Sequence, residues 1–402
     1  DIVCAYIIIL RRKFNIMYDF NKIIDRKGTS SWKYDFYEEY NKPSDTLSMW
    51  IADMDFPTVP EVVKKMEDVA TFGIYGYARP MSGYYEALKN WYKTHFDADF
   101  ENEQVVFTPG IVFALNMAVK TYTNEGDGVL VMRPVYYPFL NAIKNNKRKL
   151  INSPLVYSDG KYSINFTDLE KKIVDEKVKL MLFCNPHNPV GRVYTKDELD
   201  QVAEVARKHG VFVCADEIHS DFVYGDNKHI SFLNIDRENC MVCTAPSKTF
   251  NLAGLQTSNI IIPSDSRRAA YRETVTSTGY EYPNIFGLNA CEAAYRHGEQ
   301  WLKELLSHIY GNYEYMVDFC KKKMPRVKIA DLQGTYLPWF DMSAYGLSDE
   351  EILTKLEKDA RIWLDEGTLF GTEGSGFIRF NIACPRDTVV QAMDRLYEAF
   401  EK

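Results

Sequence analysis

The chain has 402 residues, 46% of them hydrophobic and 26% charged, with a formal net charge of −8. That length carries two domains or one large α/β core with an appended lobe, and the composition is that of an ordinary soluble globular protein. A negative balance without a basic face argues against nucleic-acid binding, and repeats, like-charge tails and low-complexity tracts are absent.

The chain opens "DIVCAYIIILRRKFNIMYDF". Its apolar stretch from Ile2 to Leu10 is far short of the ~20 residues that span a bilayer. Arg11, Arg12 and Lys13 follow that stretch, whereas a secretory signal places its positive charges first. Residues 1–16 therefore read as an extension ahead of a natural start near Met17, and no membrane attachment is expected. Residues 17–60 are expected to pack with a smaller C-terminal domain.

From residue 105 to 262, short apolar runs alternate with helix-like segments. The runs are "VVF" at 105, "GVLVM" at 128, "KLMLFC" at 179, "VFVCAD" at 211, "CMVCTA" at 240 and "NIIIP" at 259. Between them, Glu198 to His209 carries Leu199, Val202, Ala203 and Ala206 on one helical stripe. Apolar strands separated by helices predict a mostly parallel sheet covered on both faces, in a large domain over 61–300. A long helix from Trp301 to Lys323, then "TYLPWFDM", "RIWLDE", "FIRFNIA" and a last helix from Arg386 predict a smaller α+β domain over 301–402. The eight cysteines form no disulfide framework, and Cys184, Cys214 and Cys243 sit inside apolar runs, which suits buried thiols in a reducing cytoplasm. Cys240 and Cys243 lie at an odd separation along a strand and so face opposite ways, with no second pair to complete a zinc site.

Ligands of an open α/β sheet bind at the carboxyl ends of its strands, so chemistry is sought just after each run. Gly110 stands between a strand and a helix, where free amides form an anion site. Tyr136, in "PVYYPF", offers a flat partner for a ring, with Tyr137 beside it. "FCNPHNPVGR" uses two Asn-Pro steps to hold amide side chains at the sheet's edge. Asp216 ends a strongly apolar strand and needs a cation or donor there, unless it merely caps a helix. His219 and Asp221 follow it at helix-like spacing, but a single histidine does not make a metal site, and no metal is expected. Lys248, just past "CMVCTA", is either a lysine reaching out to solvent or a desolvated amine fit to attack a carbonyl and carry a proton. Arg379, in an apolar strand of the small domain, suits a carboxylate held at two points. Together these groups describe a pocket for an aromatic aldehyde phosphate acting on an amino acid.

The motifs "MWIADMDF", "GIYGYARP", "PVYYPF", "NPHNPVGRVYT", "ADEIHSD", "APSKTFNLAGLQ", "GTYLPWFD" and "FIRFNIACPR", in that order, resemble those of fold-type I pyridoxal-phosphate enzymes. Within these, the chain from Met17 onward is similar to the MalY/PatB group of cysteine-sulfur β-lyases, which includes cystalysin. The resemblance implies pyridoxal 5′-phosphate bonded to Lys248, Asp216 at the pyridine nitrogen, Tyr136 stacked on the ring and Asn188 at its phenolic oxygen. Ser247 and the amides of Ile111 and Val112 would hold the phosphate, and Tyr77 of a neighbouring subunit would reach it in a homodimer. Arg379 would bind the substrate carboxylate, with Asn188 and Tyr137 near the substrate. Two positions depart from the wider aminotransferase pattern. His219 stands where a tyrosine is common, and is expected against the cofactor, and Gln256 stands where an arginine often grips the phosphate. Both lean toward β-elimination of sulfur amino acids over transamination. An aminotransferase, and a lyase-like protein with a regulatory binding role, are the alternatives.

Overall fold

The computed structural model describes residues 17–402, and the extension read at 1–16 lies outside them. Its centre is a seven-stranded sheet in the spatial order Val105–Thr108, Ser258–Ile261, Cys240–Thr244, Phe212–Asp216, Leu180–Cys184, Gly128–Val131 and Lys149–Asn152. All but the last of these strands derive from the apolar runs. Six strands run in one direction, and Ser258–Ile261 runs against them, antiparallel to both of its neighbours. Side chains alternate across the sheet into two cores. Leu130, Met181, Val213 and Val242 enter one, and Val129, Leu182, Cys214 and Cys243 enter the other. Cys240 and Cys243 thus face opposite sides, as their odd spacing requires.

The pairing register places the chemistry. Asp216 lies opposite Cys184 on one side and Cys243 on the other. The loop from Asn185 and the turn carrying Ser247 and Lys248 therefore leave the sheet on either side of the Asp216 carboxylate. The helix-like spacing of His219 and Asp221 does not produce a helix. Residues 217–239 run as turns with two short 3-10 segments, and the first α-helix after Asp216 is the single turn Pro246–Thr249.

After a 25-residue helix, Glu299–Lys323, the chain forms a four-stranded antiparallel sheet from Lys328–Ile329, Trp339–Asp341, Phe377–Arg379 and Asp365–Glu366. Residues 17–60 lie against this part. Leu47–Ser48 pairs in parallel with Ile362–Trp363, and the Met17 amide donates to the Glu304 carboxylate at 3.0 Å. Among the described residues no helix is long and apolar enough to cross a membrane.

One ion cluster pins this early segment. Lys33, only 1% exposed, donates to both carboxylate oxygens of Asp55 at 3.0 and 3.1 Å. Arg26 bridges Asp55 to Asp53, each at 2.7 Å, and the Tyr34 hydroxyl donates to Asp55 at 2.9 Å. A buried cation is worth most when its removal leaves a carboxylate short of charge. Lys33→Ala is expected to destabilise the fold by about 3 kcal/mol, the low end for breaking a buried pair, because Arg26 and Tyr34 remain on Asp55. Thermal unfolding checks it, and an unchanged Tm would assign the cluster no structural weight.

Candidate functional site

A cavity of about 500 Å³ opens at the carboxyl ends of the central strands. That is the size range of cofactor and small-ligand sites. Of the residues singled out from sequence, Gly110, Ile111, Val112, Tyr136, Asn188, Asp216, His219, Ser247 and Lys248 line it.

One end has the amides of a helix N-terminus, an arrangement that suits an anion. The strand Val105–Thr108 leads through Gly110, at φ 145°, into the helix Ile111–Tyr122. That backbone angle is one that side-chain-bearing residues rarely adopt, so glycine is needed to turn the amides of Ile111 and Val112 toward the cavity. Ser247, Gln256 and Thr257 line the same cavity. Gln256 is neutral, so in this chain that end relies on amides and hydroxyls rather than on a cation.

The middle is a slot for a flat group. Tyr136 caps the helix Tyr137–Asn145. Its amide donates to the carbonyl of Asn188 at 3.0 Å, tying this turn to the loop after Leu180–Cys184. That loop is braced from below by His187, whose Nε2 donates to Pro134 O at 2.9 Å while Nδ1 accepts from the Tyr194 hydroxyl at 3.0 Å. Burial pushes the His187 imidazole down to about 4, so it stays neutral and keeps this pattern. Gly334 packs beneath, where an added Cβ would lie 2.8 Å from Pro186 and Val193 atoms. Asn188 accepts from Arg379 Nη1 at 3.0 Å through Oδ1, which leaves its Nδ2 donors uncommitted to Arg379.

Across the slot, Asp216 is 3% exposed and accepts one backbone hydrogen bond, from Ile218 at 3.1 Å. Burial pushes its carboxyl up to about 7. A carboxylate left this short of partners demands a cation in the cavity. Lys248 donates from Nζ to the Ala52 carbonyl at 2.7 Å. Burial lowers its ammonium to about 8, with the Arg379 charge acting the same way and Asp53 and Asp216 opposing it. His219 is buried, its Nδ1 has no partner among the described residues, and burial with the charges of Lys248 and Arg379 keeps it neutral. Asp221, which follows it at helix-like spacing, turns away and accepts from Trp91 and Thr249. Among the described residues no group of three metal-ligating side chains is assembled.

Three singled-out residues stand outside the cavity wall. Arg379 is one bond away: besides Asn188 it holds the Trp50 carbonyl at 3.0 Å and pairs with Asp365, and its buried Nε has no partner. Tyr137 packs its ring 5.2 Å from that of Tyr136. Tyr77 is 92% exposed and touches Tyr282 at 5.1 Å between ring centroids, on the surface of the single chain. Sequence reasoning missed Trp32, Ala52, Tyr336 and Asn381. The Tyr336 hydroxyl shares the Ala52 carbonyl with Lys248 at 2.8 Å, and Asn381 clamps the carbonyls of Ile51 and Asp53. "MWIADMDF" was the signal for this strap, yet its working atoms are backbone carbonyls, which no side-chain pattern marks.

In the chain without a bound cation, the Asp216 shift predicts an unusual stability profile. Its pKa is raised in the fold above the ordinary 3.8, so its contribution is complete below pH 4 and is lost as pH rises through 7, on the order of a few kcal/mol. Lys248, lowered below 10.5, acts in a separate window and adds stability as pH rises from 8 to 10.5. Tm measured between pH 5 and 7.5 is expected to fall in the ligand-free chain and to lose that slope in Asp216→Asn.

Residues 45–396 match the family aminotransferase class I and II. The cystathionine β-lyase PatB of Bacillus subtilis is 38% identical over 95% of this chain and 99% of its own length. The crystal structure of cystalysin from Treponema denticola, which contains a pyridoxal 5′-phosphate cofactor, superposes with a TM-score of 0.93 at 35% identity, covering 96% of this chain and 99% of that one. A PLP-bound C–S lyase from Staphylococcus hominis gives a TM-score of 0.91 at 32% identity, covering 97% and 100%. With the family match spanning most of its length, and relatives of this similarity covering nearly all of it, the chain belongs to the aminotransferase class I and II family.

Proposed function

We propose that this chain is a pyridoxal-phosphate-dependent carbon–sulfur β-lyase that converts cysteine, cystathionine or a cysteine S-conjugate to pyruvate, ammonia and a thiol. The observation that carries the reading is a single cavity holding an amine of depressed basicity and a buried, nearly unpartnered carboxylate. The residues present fit the cofactor. The amides of Ile111 and Val112 with Ser247 suit its phosphate, Tyr136 its ring face and Asn188 Nδ2 its phenolic oxygen. The carboxylate of Asp216 suits a protonated pyridine nitrogen, and neutral His219 lies against the same slot.

When bound, pyridoxal phosphate supplies an electron sink for the charge left on the substrate's α-carbon. Asp216 keeps that sink effective by holding a positive charge beside its own negative one in a largely buried setting. Arg379 binds the α-carboxylate through donors such as its free Nε, and Tyr137 stands near the substrate. Lys248 Nζ takes the α-proton and delivers it to the departing sulfur, while the Ala52 carbonyl keeps the amine within reach.

The apolar surface around Tyr77 supports a homodimer. Phe72, Ile74, Tyr75 and Met81 are all more than half exposed there, a patch of the kind that marks an interface. In this reading Tyr77 crosses to the neighbouring subunit's phosphate. Residues 61–300 form the cofactor-binding domain, 301–402 the small domain, and 17–60 a strap on the latter. Seven described cysteines, all free and buried, suit a reducing cytoplasm.

The decisive assay supplies cystathionine or cysteine with no keto acid. Sustained release of pyruvate and thiol supports the lyase, and a single turnover assigns transamination instead.

A further inference from the structure

We propose that Trp32 forms the wall that receives the sulfur substituent, and that the enzyme prefers cysteine conjugates with an aromatic or branched apolar group on sulfur over cystathionine. This rests on the β-lyase reading above.

Trp32 lines the same cavity as Lys248, yet it is 55% exposed. An exposed indole on a mobile loop would mean little, but this loop is fixed. The next residue, Lys33, is locked into the buried Asp55 cluster, and the preceding Ser31 amide donates to Asp35 at 2.8 Å. The indole is aimed as well as anchored. Its Nε1 donates to the Tyr40 hydroxyl at 2.8 Å, and its ring meets Trp50 edge-on at 5.5 Å. Trp50 in turn stacks on Trp363 at 4.3 Å, with Tyr40 against both. The Trp50 carbonyl accepts from Arg379, so this aromatic group stands beside the guanidinium that binds the α-carboxylate. A substrate held between Arg379 and Lys248 brings its sulfur substituent toward the wall on which Trp32 stands, beside the Trp50 group.

The chemistry of the wall selects the substituent. Among the described residues lining the cavity, only Asp216 and Lys248 carry charge, and both are committed to the reaction. Cystathionine ends in a second ammonium and carboxylate, which find no charged partner among the other described lining residues and gain nothing from contact with the indole. An aryl or branched alkyl group instead buries apolar area against indole and gains the geometry of an aromatic pair.

The test measures pyruvate from S-benzyl-L-cysteine, L-cystathionine and L-cysteine. The wild-type chain is expected to show a higher kcat/KM for S-benzylcysteine than for cystathionine. In Trp32→Ala, the ratio of kcat/KM for S-benzylcysteine to that for cysteine is expected to fall at least about tenfold, mainly through KM. Trp32→Phe is expected to keep most of the ratio. An unchanged ratio in Trp32→Ala, or a wild-type preference for cystathionine, overturns the assignment. Pyruvate from none of the three substrates overturns the lyase reading itself, a result distinct from turnover without selectivity.

Discussion

Lys248→Ala is expected to lower kcat for pyruvate release by about 10³–10⁴-fold, the largest loss from any single substitution in this chain. Among the described residues at the cavity, the amine is held in place by the Ala52 carbonyl, Tyr136 is pushed by burial to a weaker acid than ordinary tyrosine, and the Asp216 carboxyl is assigned to the pyridine nitrogen. The amine's depressed basicity has a measurable consequence before any turnover. With a pKa of about 8, roughly a tenth of the amine is unprotonated at pH 7, against fewer than about one part in a thousand for an ordinary lysine. Pyridoxal phosphate uptake by the ligand-free chain is therefore expected to accelerate as pH rises toward 8 and to level off above it. A small exogenous amine should restore part of the activity of Lys248→Ala, because cavity and phosphate cradle remain. Activity of the variant within tenfold of the parent would remove Lys248 from the proton path, and an uptake rate still climbing at pH 10 would contradict the depressed pKa.

The parts of this molecule legible in its sequence share one property: their signal is carried by side chains in runs long enough to show a period. The six apolar runs became strands because each is buried on both faces, and the strand ends then named Asp216, Asn188 and Lys248. Orientation was not legible. Ser258–Ile261 is as apolar as its parallel neighbours yet runs antiparallel to them, since direction depends on the path of the connecting chain. Two-residue strands such as Leu47–Ser48 and Ile362–Trp363 are too short to carry a pattern, although they fasten the strap bearing Ala52. The hairpin Val156–Ser158 with Lys161–Ser163 is equally brief. In the site, the hidden contributors were backbone atoms and distant aromatics. Nothing in "SSWKYD" indicates that Trp32 will line the same cavity as Lys248, more than two hundred residues away. Asp221 shows how little spacing alone carries: it follows His219 at helix-like spacing, yet the turn sends its carboxylate to Trp91 and Thr249.

Asp216→Asn should separate binding from chemistry. The amide has nearly the carboxylate's shape and can still accept from the Ile218 amide, so the fold and the phosphate cradle are expected to survive. What disappears is the charge. Asp216 is 3% exposed, so its field is weakly screened, and a positive charge on the pyridine nitrogen then loses its counter-ion. The ring nitrogen is expected to stay unprotonated, and the driving force for losing the α-proton to Lys248 falls with it. We expect kcat lower by about 10²–10³-fold, the range seen when one preorganised electrostatic partner is removed, with cofactor binding weakened far less. Asp216→Glu should recover part of the loss, because charge matters more here than reach. The pH dependence of stability gives an independent reading of the same atom: the fall in Tm between pH 5 and 7.5 should vanish in ligand-free Asp216→Asn and persist in Lys248→Ala. Full-rate turnover by Asp216→Asn would show that the carboxylate is only a structural partner of the Ile218 turn, and the chemical role of the cavity would then have to rest on Lys248 alone.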